Sequence, residues 1–432
     1  EPPRSSSRVM SPSSENPRVT AALVVAWAIA AAAAVALSLR AWRGDLGIVA
    51  ALLLAATAAS FLYGRRIAPK RLRGKADGIA KAALTGLGGM ALLRHPITAG
   101  DGTSLPVYAA IATHVRNVDP VTFATFAMLA VVVKLSGVIA SAFGWHLLLI
   151  GQGIRFPFWS MIATSFLIGR FIGTFLPSTL GLDGYTLYEA SRYSNQWTRA
   201  VTAKAVEKLI GIAGLFAGMV LTLPFGYPVL HDVAAKLGRP TAAPLLAAAI
   251  VAIAGGVTVA VLIGVVRPGW LQWLLRATRR IIPGMLAGRA EEVLGAVEAY
   301  RGRPRLLLAA LLAKFVTHFS TAVVYYCTAL AIGVVAPQFW PIVFGSTIQI
   351  LATLVSPTIA GEGAREAFQA LLLSQQLGGV AQAVLSAALG FIAAEAATLW
   401  GGVFLWSRTP TWRPGYAKVD DHQVTYSWLK ET

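Results

Sequence analysis

Several ionisable side chains stand inside long apolar runs of this sequence, where a charge is costly. Arg170 lies in the middle of SFLIGRFIGTF, and Glu362, Arg365 and Glu366 lie in GEGAREA, just after a proline. A charge at the centre of a bilayer costs at least about 2.5–3.5 kcal/mol, so such residues usually face a cavity or a charged partner. Arginine presents a permanently charged planar fork that suits a phosphate group. The residue types therefore favour anion binding, with carboxylates available for an amine, for hydroxyls or for a coupling proton.

The same side chains also fit plainer structural roles, which the sequence leaves open. Arg170 could face the membrane interface, and Glu362, Arg365 and Glu366 could form a structural ion cluster. Lys314 is expected to be a helix-end lysine near the membrane surface, and Glu207 with Lys208 could be an interfacial anchor. Further ionisable residues in the apolar runs are Lys134, His146, Glu189, His318 and Glu395.

Two of the apolar runs break in the same way, 180 residues apart. The first break reads FLPSTLGLDGYTLYEA (175–190) and the second VSPTIAGEGAREAFQA (355–370). Proline and clustered glycine leave backbone groups unpaired, which hydrocarbon does not tolerate unless protein or water surrounds them. Each break therefore predicts a re-entrant helical hairpin. The paired positions are Pro177 with Pro357, Gly181 with Gly361, Tyr188 with Phe368 and Ala190 with Ala370.

The two breaks predict an inverted repeat. Three predicted crossings separate the start of the first copy from that of the second, and an odd number gives the copies opposite orientations. Glycine- and proline-broken segments at matching places in two halves point to a binding site at the membrane midplane. The candidate substrate-binding residues are Arg170, Gly181, Asp183, Gly184, Arg192, Glu207, Gly361, Glu362, Gly363, Arg365 and Glu366.

The elements that must position these residues are transmembrane helices. The chain has 432 residues, of which 56% are apolar and 13% charged, whereas soluble domains are about 45–50% apolar and 25% charged. Apolar runs of about 20 residues predict helices rather than the alternating strands of a barrel. The composition therefore excludes a soluble enzyme and a disordered scaffold. The fold class is an all-α polytopic membrane protein with an inverted repeat, two re-entrant hairpins and extra N-terminal transmembrane helices.

The predicted organisation has four parts. Residues 1–19 are a disordered tail, 20–120 an N-terminal membrane segment with spans at 20–38 and 46–63, 121–407 the main membrane domain, and 408–432 a C-terminal tail. Within the main domain we expect repeat 1 at 121–226, a central helix at 244–266, an amphipathic linker at 267–305 and repeat 2 at 306–407. The predicted apolar runs of this domain are 121–150, 157–177, 203–226, 244–266, 306–334, 340–359 and 379–407.

The net charge of +18 is concentrated in loops. Residues 64–81 hold seven basic residues and one acid, which is typical of a cytoplasmic loop beside anionic lipid. We therefore expect a multi-pass protein of the cell (inner or plasma) membrane with 64–81 and 267–305 in the cytoplasm. This topology requires one crossing between 82 and 120, where the apolar character is weakest. The expected partners are anionic or phosphate-bearing membrane lipids and no nucleic acid, with a homo-oligomer or a lipid-modifying enzyme as further candidates.

The sequence contains none of the common catalytic or nucleotide-binding motifs. HExxH, the phosphate-binding P-loop, GxSxG and GxGxxG are all absent, and so is a DxxxD pair for magnesium diphosphate. The single cysteine, Cys327, excludes a disulfide framework and a cysteine-rich metal site. We expect no catalytic residues, no metal and no cofactor.

The block from Ile154 to Leu215 resembles the transmembrane, flippase-like domain family of lysylphosphatidylglycerol synthases. The motifs that carry the resemblance are the basic-aromatic start at Arg155–Phe158, Gly169–Arg170, Pro177–Ser178 with Gly181 and Asp183, then Arg192, then Glu207–Lys208, and the second signature from Pro357 to Glu366. The resemblance covers about 121–407. The sequence departs from the family pattern in two places. It has Gly-Leu-Asp at 181–183 where the family commonly has Gly-Gly-Asp, and Glu-Lys at 207–208 where the family has Glu-Arg.

The resemblance implies a membrane module that moves a lipid between leaflets, an aminoacyl-phosphatidylglycerol-like or a polyprenyl-phosphate-like one. The soluble domain that transfers the amino acid in those synthases is absent from this sequence, so aminoacyl transfer by this chain alone is not expected. Two alternatives remain open. One is a membrane-embedded transferase acting on lipid-linked substrates, and the other is a non-transporting membrane partner of a soluble enzyme.

Overall fold

The structure is a computed structural model, which describes residues 85–86, 89, 91–98, 104–175, 180–266, 300–356, 361–408 and 412. The described residues from 92 onward form one compact unit, to which the following description applies. Several predictions concern residues outside the described ones. They are the N-terminal tail, the spans at 20–38 and 46–63, the basic loop 64–81, most of the linker 267–305, the prolines of the two breaks and nearly all of the C-terminal tail.

The described part is helical apart from one short antiparallel hairpin, in which β1 (Pro96–Thr98) pairs with β2 (Ser104–Pro106). The helices that follow are α1 (Val107–Arg116), α2 (Pro120–Gly151), α3 (Thr164–Phe175, preceded by the π-helical segment Phe158–Ala163), α4 (Leu180–Ser194), α5 (Trp197–Lys236), α6 (Ala243–Ile250), α7 (Gly256–Val266), α8 (Pro304–Ala331), α9 (Phe339–Val355), α10 (Ala364–Leu373), α11 (Val380–Ala396) and α12 (Trp400–Ser407). A π-helical turn (Val251–Gly255) joins α6 to α7.

Five helical stretches in the described ranges are long and apolar enough to cross a membrane. They are Pro120–Gly151, Trp197–Lys236, Pro240–Ile263, Pro304–Ala331 and Val380–Ser407. A sixth apolar helix, Phe339–Leu354, is shorter. The prediction of an all-α polytopic membrane protein is therefore confirmed.

Two predicted boundaries differ from the structure. The run predicted to end at 226 continues as α5 to Lys236, through Pro224 and Pro228. Proline removes one backbone hydrogen bond, but packed neighbours keep this stretch helical, and Gly226 lies directly against the ring of Phe344. In the region of the required crossing, α1 has only ten residues, about half the length that spans a bilayer.

The start of α2 shows how the sequence fixes a helix boundary. The Asp119 carboxylate accepts a hydrogen bond from the Thr122 backbone N–H at 2.7 Å, and Pro120 occupies the first turn. Both features are typical of a helix N-terminus. The backbone hydrogen bond from Thr122 lowers the pKa of Asp119 below its ordinary value of 3.8.

The centre of the unit is an antiparallel pair formed by α2 and α8. Glycines at seven-residue spacing on α2 form a seam against α8: a Cβ on Gly137 would lie 1.9 Å from Ser320 Oγ, and one on Gly144 would lie 3.4 Å from Ala313 Cβ. Small residues of this kind let two helix backbones approach closely in a membrane. A seven-residue repeat keeps the same side of a helix against its partner over several turns.

Each broken run forms two helices that pack against each other, α3 with α4 and α9 with α10. In the first pair Gly181 is in direct contact with the Gly173 backbone, where a Cβ would lie 2.4 Å from Gly173 Cα. In the second pair Gly361, at a φ of +73°, lies against Thr353. The glycines predicted at the breaks thus allow the close approach of the paired helices.

Candidate functional site

A buried ion network joins α5 to α8. Glu207 accepts hydrogen bonds from Lys204 at 2.6 Å and from Lys314 at 2.5 Å. The side chains of Glu207 and Lys314 are 6% and 8% exposed. Lys314 also donates to the Ser141 hydroxyl on α2 at 2.7 Å. The prediction that Lys314 is a helix-end lysine at the surface was wrong, because the lysine is buried against a carboxylate.

The network extends to the helix that follows the first break. Asp183 on α4 lies 2.5 Å from Lys208 and 3.8 Å from Lys204. The ammonium group of Lys204 also lies 3.9 Å from the centroid of the Trp145 ring, which stabilises a cation through its π face. Three lysines and two carboxylates meet here. The structure therefore brings Asp183 and Glu207 of the predicted site together.

A second group of charges lies where α2, α3, α10 and α11 are close. Arg170 is within electrostatic range of Glu395 and Asp183, and Lys134 is within range of Arg170, Glu395 and Arg365. Lys134 donates a hydrogen bond to Thr321 Oγ1 at 3.0 Å. The predicted residues Arg170 on α3 and Arg365 on α10 thus both act electrostatically on the same lysine.

Thr174 connects α3 to α11 within this group. Its hydroxyl, one turn after Arg170 on α3, donates a hydrogen bond to the Glu395 carboxylate on α11. The neutral Thr174 hydroxyl therefore positions Glu395, and the Glu395 carboxylate interacts electrostatically with both Arg170 and Lys134.

The start of α10 is capped by its own side chain. Glu366 accepts hydrogen bonds from the Gly363 backbone N–H at 2.7 Å and from Arg365 Nε at 3.2 Å. This is the position that the sequence offered to an anion, because free N–H groups and the positive end of the helix dipole meet there. Arg365 is 5% exposed and its guanidinium lies 4.4 Å from the Phe391 ring centroid. The Arg365–Glu366 ion pair of the structural alternative is present, and one guanidinium nitrogen, Nη2, stays outside it.

The remaining predicted residues take several positions. Arg192 is exposed and contacts Tyr188 and Tyr193 on its own helix. Glu362 is half-buried just before α10. No atom lies within 4 Å of the position that a Cβ on Gly184 would take. Gly363, the residue before α10, has a φ of +77°, which favours glycine.

Sequence reasoning did not identify the partners of a further buried carboxylate, Glu189. Glu189 on α4 accepts hydrogen bonds from Ser165, from Tyr185 at 2.7 Å and from Arg408, which follows α12. The guanidinium of Arg408 lies 3.9 Å from the Trp412 ring centroid. Glu189 was recognised as an intramembrane acid, but its partner Arg408 lies in what was predicted to be the C-terminal tail.

Four cations of the networks were also missed as site residues: Lys134, Lys204, Lys208 and Lys314. Lys204 lies in WTRAVTAKAVEK, a polar helix start whose composition resembles an interfacial segment. The signal that could have found it is its spacing of three residues from Glu207, which places both on one helix face. Lys134 was recognised only as an ionisable residue at membrane depth. Among the described residues, no group of three histidine, cysteine or acidic side chains could hold a metal ion.

The family assignment rests on a match along most of the described unit. A family model described as the lysylphosphatidylglycerol synthase TM region matches residues 103–404, which includes both charge networks and both helical hairpins. The chain belongs to this family. Membership in a transmembrane-region family agrees with the five membrane-spanning helices and links the protein to lipid metabolism. A comparison with curated proteins finds no match.

Proposed function

We propose that this protein is a membrane lipid transporter of the flippase type, which moves an anionic phospholipid or a lipid-linked intermediate between leaflets. The expected substrates are aminoacyl-phosphatidylglycerol-like or polyprenyl-phosphate-like lipids. Membership in the family supports a role in lipid metabolism. The proposal makes the chain a transporter in the cell membrane, with no reaction of its own.

The observation that carries the proposal is a cluster of buried charges contributed by several apolar helices. Lys204 and Lys314 share the buried Glu207 carboxylate, and Lys204 and the half-exposed Lys208 approach Asp183. Charged side chains inside a membrane protein are costly and usually line a substrate or ion pathway. The lysines of this cluster suit an anionic headgroup.

The second group of charges combines the cations Lys134, Arg170 and Arg365 with the carboxylates Glu366 and Glu395. In the proposed mechanism Arg170 and Arg365 bind the lipid phosphate from the two repeats, while the acyl or prenyl chains stay in the bilayer. Asp183, Glu362 and Glu366 are then available to an amine, to sugar hydroxyls or to a coupling proton.

The contacts between α2 and α8 support the inverted repeat on which alternating access would depend. The offset of 180 residues relates Lys134 to Lys314 and Ser141 to Thr321. Lys134 bonds Thr321 and Lys314 bonds Ser141, so the two hydrogen bonds exchange when the repeats are exchanged. A contact that maps onto itself in this way is the mark of a two-fold axis.

The packing of the other helices follows the same exchange. If α3 corresponds to α9 and α5 to the α11–α12 segment, then the contact of α5 with α9 corresponds to that of α3 with α12, and both exist. Two such repeats can move relative to each other around a fixed central site, as in other transporters built from inverted repeats. In this mechanism the two re-entrant hairpins carry the charged residues at that site.

The experiment that tests the proposal measures lipid movement by the purified full chain in liposomes. A fluorescent phosphatidylglycerol, an aminoacylated analogue and a polyprenyl phosphate are placed in one leaflet, and their appearance in the other is followed with a membrane-impermeant quencher. We expect at least one anionic class to move faster than in protein-free liposomes. A zwitterionic lipid is expected to move more slowly than that anionic class in the same proteoliposomes. Failure of all three classes to move faster than in protein-free liposomes would refute the proposal.

A further inference from the structure

Each helical hairpin packs against the helical stretch that follows the other hairpin. Hairpin 1 (α3 and α4) contacts α12, and hairpin 2 (α9 and α10) contacts α5. Both contacts are close. A Cβ on Gly402 of α12 would lie 2.9 Å from the Phe171 ring of α3, and one on Gly226 of α5 would lie 2.0 Å from the Phe344 ring of α9. Movement of either hairpin therefore requires its separation from a helix outside it.

A buried group of side chains holds hairpin 1 to the residues that follow α12. Arg408 donates hydrogen bonds to the Glu189 carboxylate and, at 2.9 Å, to the Tyr185 hydroxyl, both on α4. The Arg408 guanidinium lies 3.9 Å from the Trp412 ring centroid. The Tyr193 hydroxyl, also on α4, donates to the Trp412 carbonyl oxygen at 3.4 Å. We call these five residues clasp 1.

A second group of side chains holds hairpin 2 to the end of α5. The Lys236 ammonium group donates to the Leu371 carbonyl oxygen at 2.7 Å and to the Ser374 hydroxyl at 2.8 Å, at the end of α10. Gln376 Nε2 donates to the Asp232 carboxylate at 3.3 Å. We call these five residues clasp 2. In both clasps a cation at the end of a helical stretch holds the second helix of a hairpin.

The two clasps lie at opposite ends of the α2–α8 pair. The Tyr300 hydroxyl, just before α8, donates to the Leu148 carbonyl oxygen near the end of α2 at 2.8 Å. Arg199 at the start of α5 donates to the Gln152 carbonyl oxygen at 3.4 Å, so the end of α4 that leads into α5 lies here too, together with clasp 1. α5 then runs for 40 residues to Lys236, which places clasp 2 at the other end.

Each clasp lies close to charged residues of the candidate site. Asp183 precedes Glu189 by six residues on α4, and Arg365 precedes Leu371 by six residues on α10. Six residues of α-helix correspond to about 9 Å. The charges therefore lie deeper along each hairpin than its clasp does, and the clasp lies between them and the nearer end of the α2–α8 pair.

We propose that clasp 1 and clasp 2 are the two gates of the transporter, one at each membrane face. This inference rests on the proposed function and adds how access to its site is controlled. Release of clasp 1 frees α4 from α12 and gives Asp183 access to one face, and release of clasp 2 frees α10 from α5 and gives Arg365 access to the other. Alternating access opens a central site to one face at a time, so the two clasps must not open together.

The two clasps differ in burial, which predicts how readily each one opens. The side chains of Arg408 and Glu189 are 11% and 5% exposed, and separation of a buried pair leaves each charge without its partner. Lys236 is exposed and its two hydrogen-bond acceptors are neutral, so water replaces them at little cost. We therefore expect clasp 2 to open more often than clasp 1 when no lipid is bound.

Hydrogen–deuterium exchange of the full chain in nanodiscs tests each clasp separately. Arg408→Gln is expected to raise the exchange rate of the backbone amides of 181–194 by about tenfold or more, since a buried carboxylate loses its cation. The amides of 364–374 are expected to keep the wild-type rate. Lys236→Gln is expected to give the reverse pattern with a smaller change, about fivefold or less. Arg305→Gln, an exposed arginine at the start of α8, is the matched control for the loss of one charge.

The double variant tests whether the two clasps close one path. With either clasp intact the path stays closed at one face, so neither single variant is expected to make liposomes leaky. Arg408→Gln combined with Lys236→Gln opens both ends. We expect a proton leak, followed with a pH-sensitive dye inside the liposomes, well above the sum of the leaks of the two single variants.

The outcomes separate this inference from the proposed function. Faster exchange confined to one hairpin in each single variant, with a leak in the double variant, supports the gates. Equal rises in both hairpins, in α2 and in α8 would show that the clasps only stabilise the fold, which overturns the inference and leaves lipid movement by the wild type unaffected. A double variant no leakier than the single variants, with wild-type exchange in α2 and α8, also overturns it. If the double variant unfolds, the single variants decide. Gated behaviour in a protein that moves no lipid would refute the proposed function alone.

Discussion

Lys314 on α8 and Glu207 on α5 form a buried ion pair at 2.5 Å, and this pair connects the two helices. Lys204 approaches the same carboxylate from the other side at 2.6 Å. Burying charges is costly even when they are paired, so such a pair is weak support for stability alone. Removing one member is more damaging, because the other stays in a region of low dielectric constant.

The first prediction concerns this pair. Lys314→Met leaves Glu207 with Lys204 as its one cation, and we expect a loss of about 2–4 kcal/mol in the free energy of unfolding. Thermal unfolding in detergent micelles measures it. Lys208→Met is the control, since Lys208 is 50% exposed and exposed pairs are worth about 0–1 kcal/mol. Adding Glu207→Gln to Lys314→Met is expected to recover part of the loss, and a strictly additive double variant would contradict the coupling.

The second prediction tests the α2–α8 seam. A Cβ on Gly137 would lie 1.9 Å from Ser320 Oγ, so Gly137→Val forces the two helices apart at a cost of about 1–3 kcal/mol or more. Gly256→Ala is the control, because nothing lies within 4 Å of that position. Unfolding midpoints compare the two variants. Equal midpoints for both variants would be inconsistent with the observed helix contact.

The third prediction concerns pH and the cap of α2. The pKa of Asp119 is lowered by the Thr122 N–H bond, so the cap contributes stability above the ordinary value of 3.8 and loses it as the pH falls through the lower, folded value. Asp119→Asn keeps an N-terminal cap without titrating. We expect the wild type, relative to this variant, to lose stability as the pH falls below about 4. Parallel pH profiles of the two unfolding curves would argue against the charged cap.

The fourth prediction concerns transport. Arg170→Gln and Arg365→Gln each remove one charge that the mechanism assigns to the lipid phosphate, and we expect lipid movement in liposomes to fall by at least about tenfold, as a hydrogen bond to a charged group contributes about 1.5–3 kcal/mol. Arg116→Gln, an exposed arginine at the end of α1, is expected to leave the rate unchanged. If the arginine variants are silent and charge reversal in 64–81 is damaging instead, the result would favour a recruiting role over transport.

The helices could be predicted from the sequence because an apolar run of about 20 residues has one stable solution in a bilayer. The α2 and α8 boundaries lie within a few residues of the predicted runs. The end of α5 was missed because Pro224 and Pro228 are helix breakers only where the freed carbonyls lack other support.

The candidate site was predicted in part. Arg170, Asp183 and Glu207 were found because a charge in an apolar run is conspicuous. Lys204 was missed because it lies near a polar helix start, and its burial depends on the Trp145 ring and on Glu207.

The two clasps escaped notice for a different reason. Lys236 lies beyond the predicted end of its run at 226, and Arg408 lies in the predicted C-terminal tail. Leu371 lies 135 positions after Lys236, and Glu189 lies 219 positions before Arg408. Such contacts depend on how distant helices pack, so the order of residues along the chain does not reveal them.

The most direct test of the account is a density map of the full chain in nanodiscs that contain phosphatidylglycerol. We predict a lipid phosphate within hydrogen-bonding distance of Arg170 or Arg365, close to Lys134 and between the two helical hairpins. A map in which Arg170 and Arg365 are paired only to Glu395, Glu366 or Asp183, with the hairpins packed tightly and no lipid between them, would contradict the account.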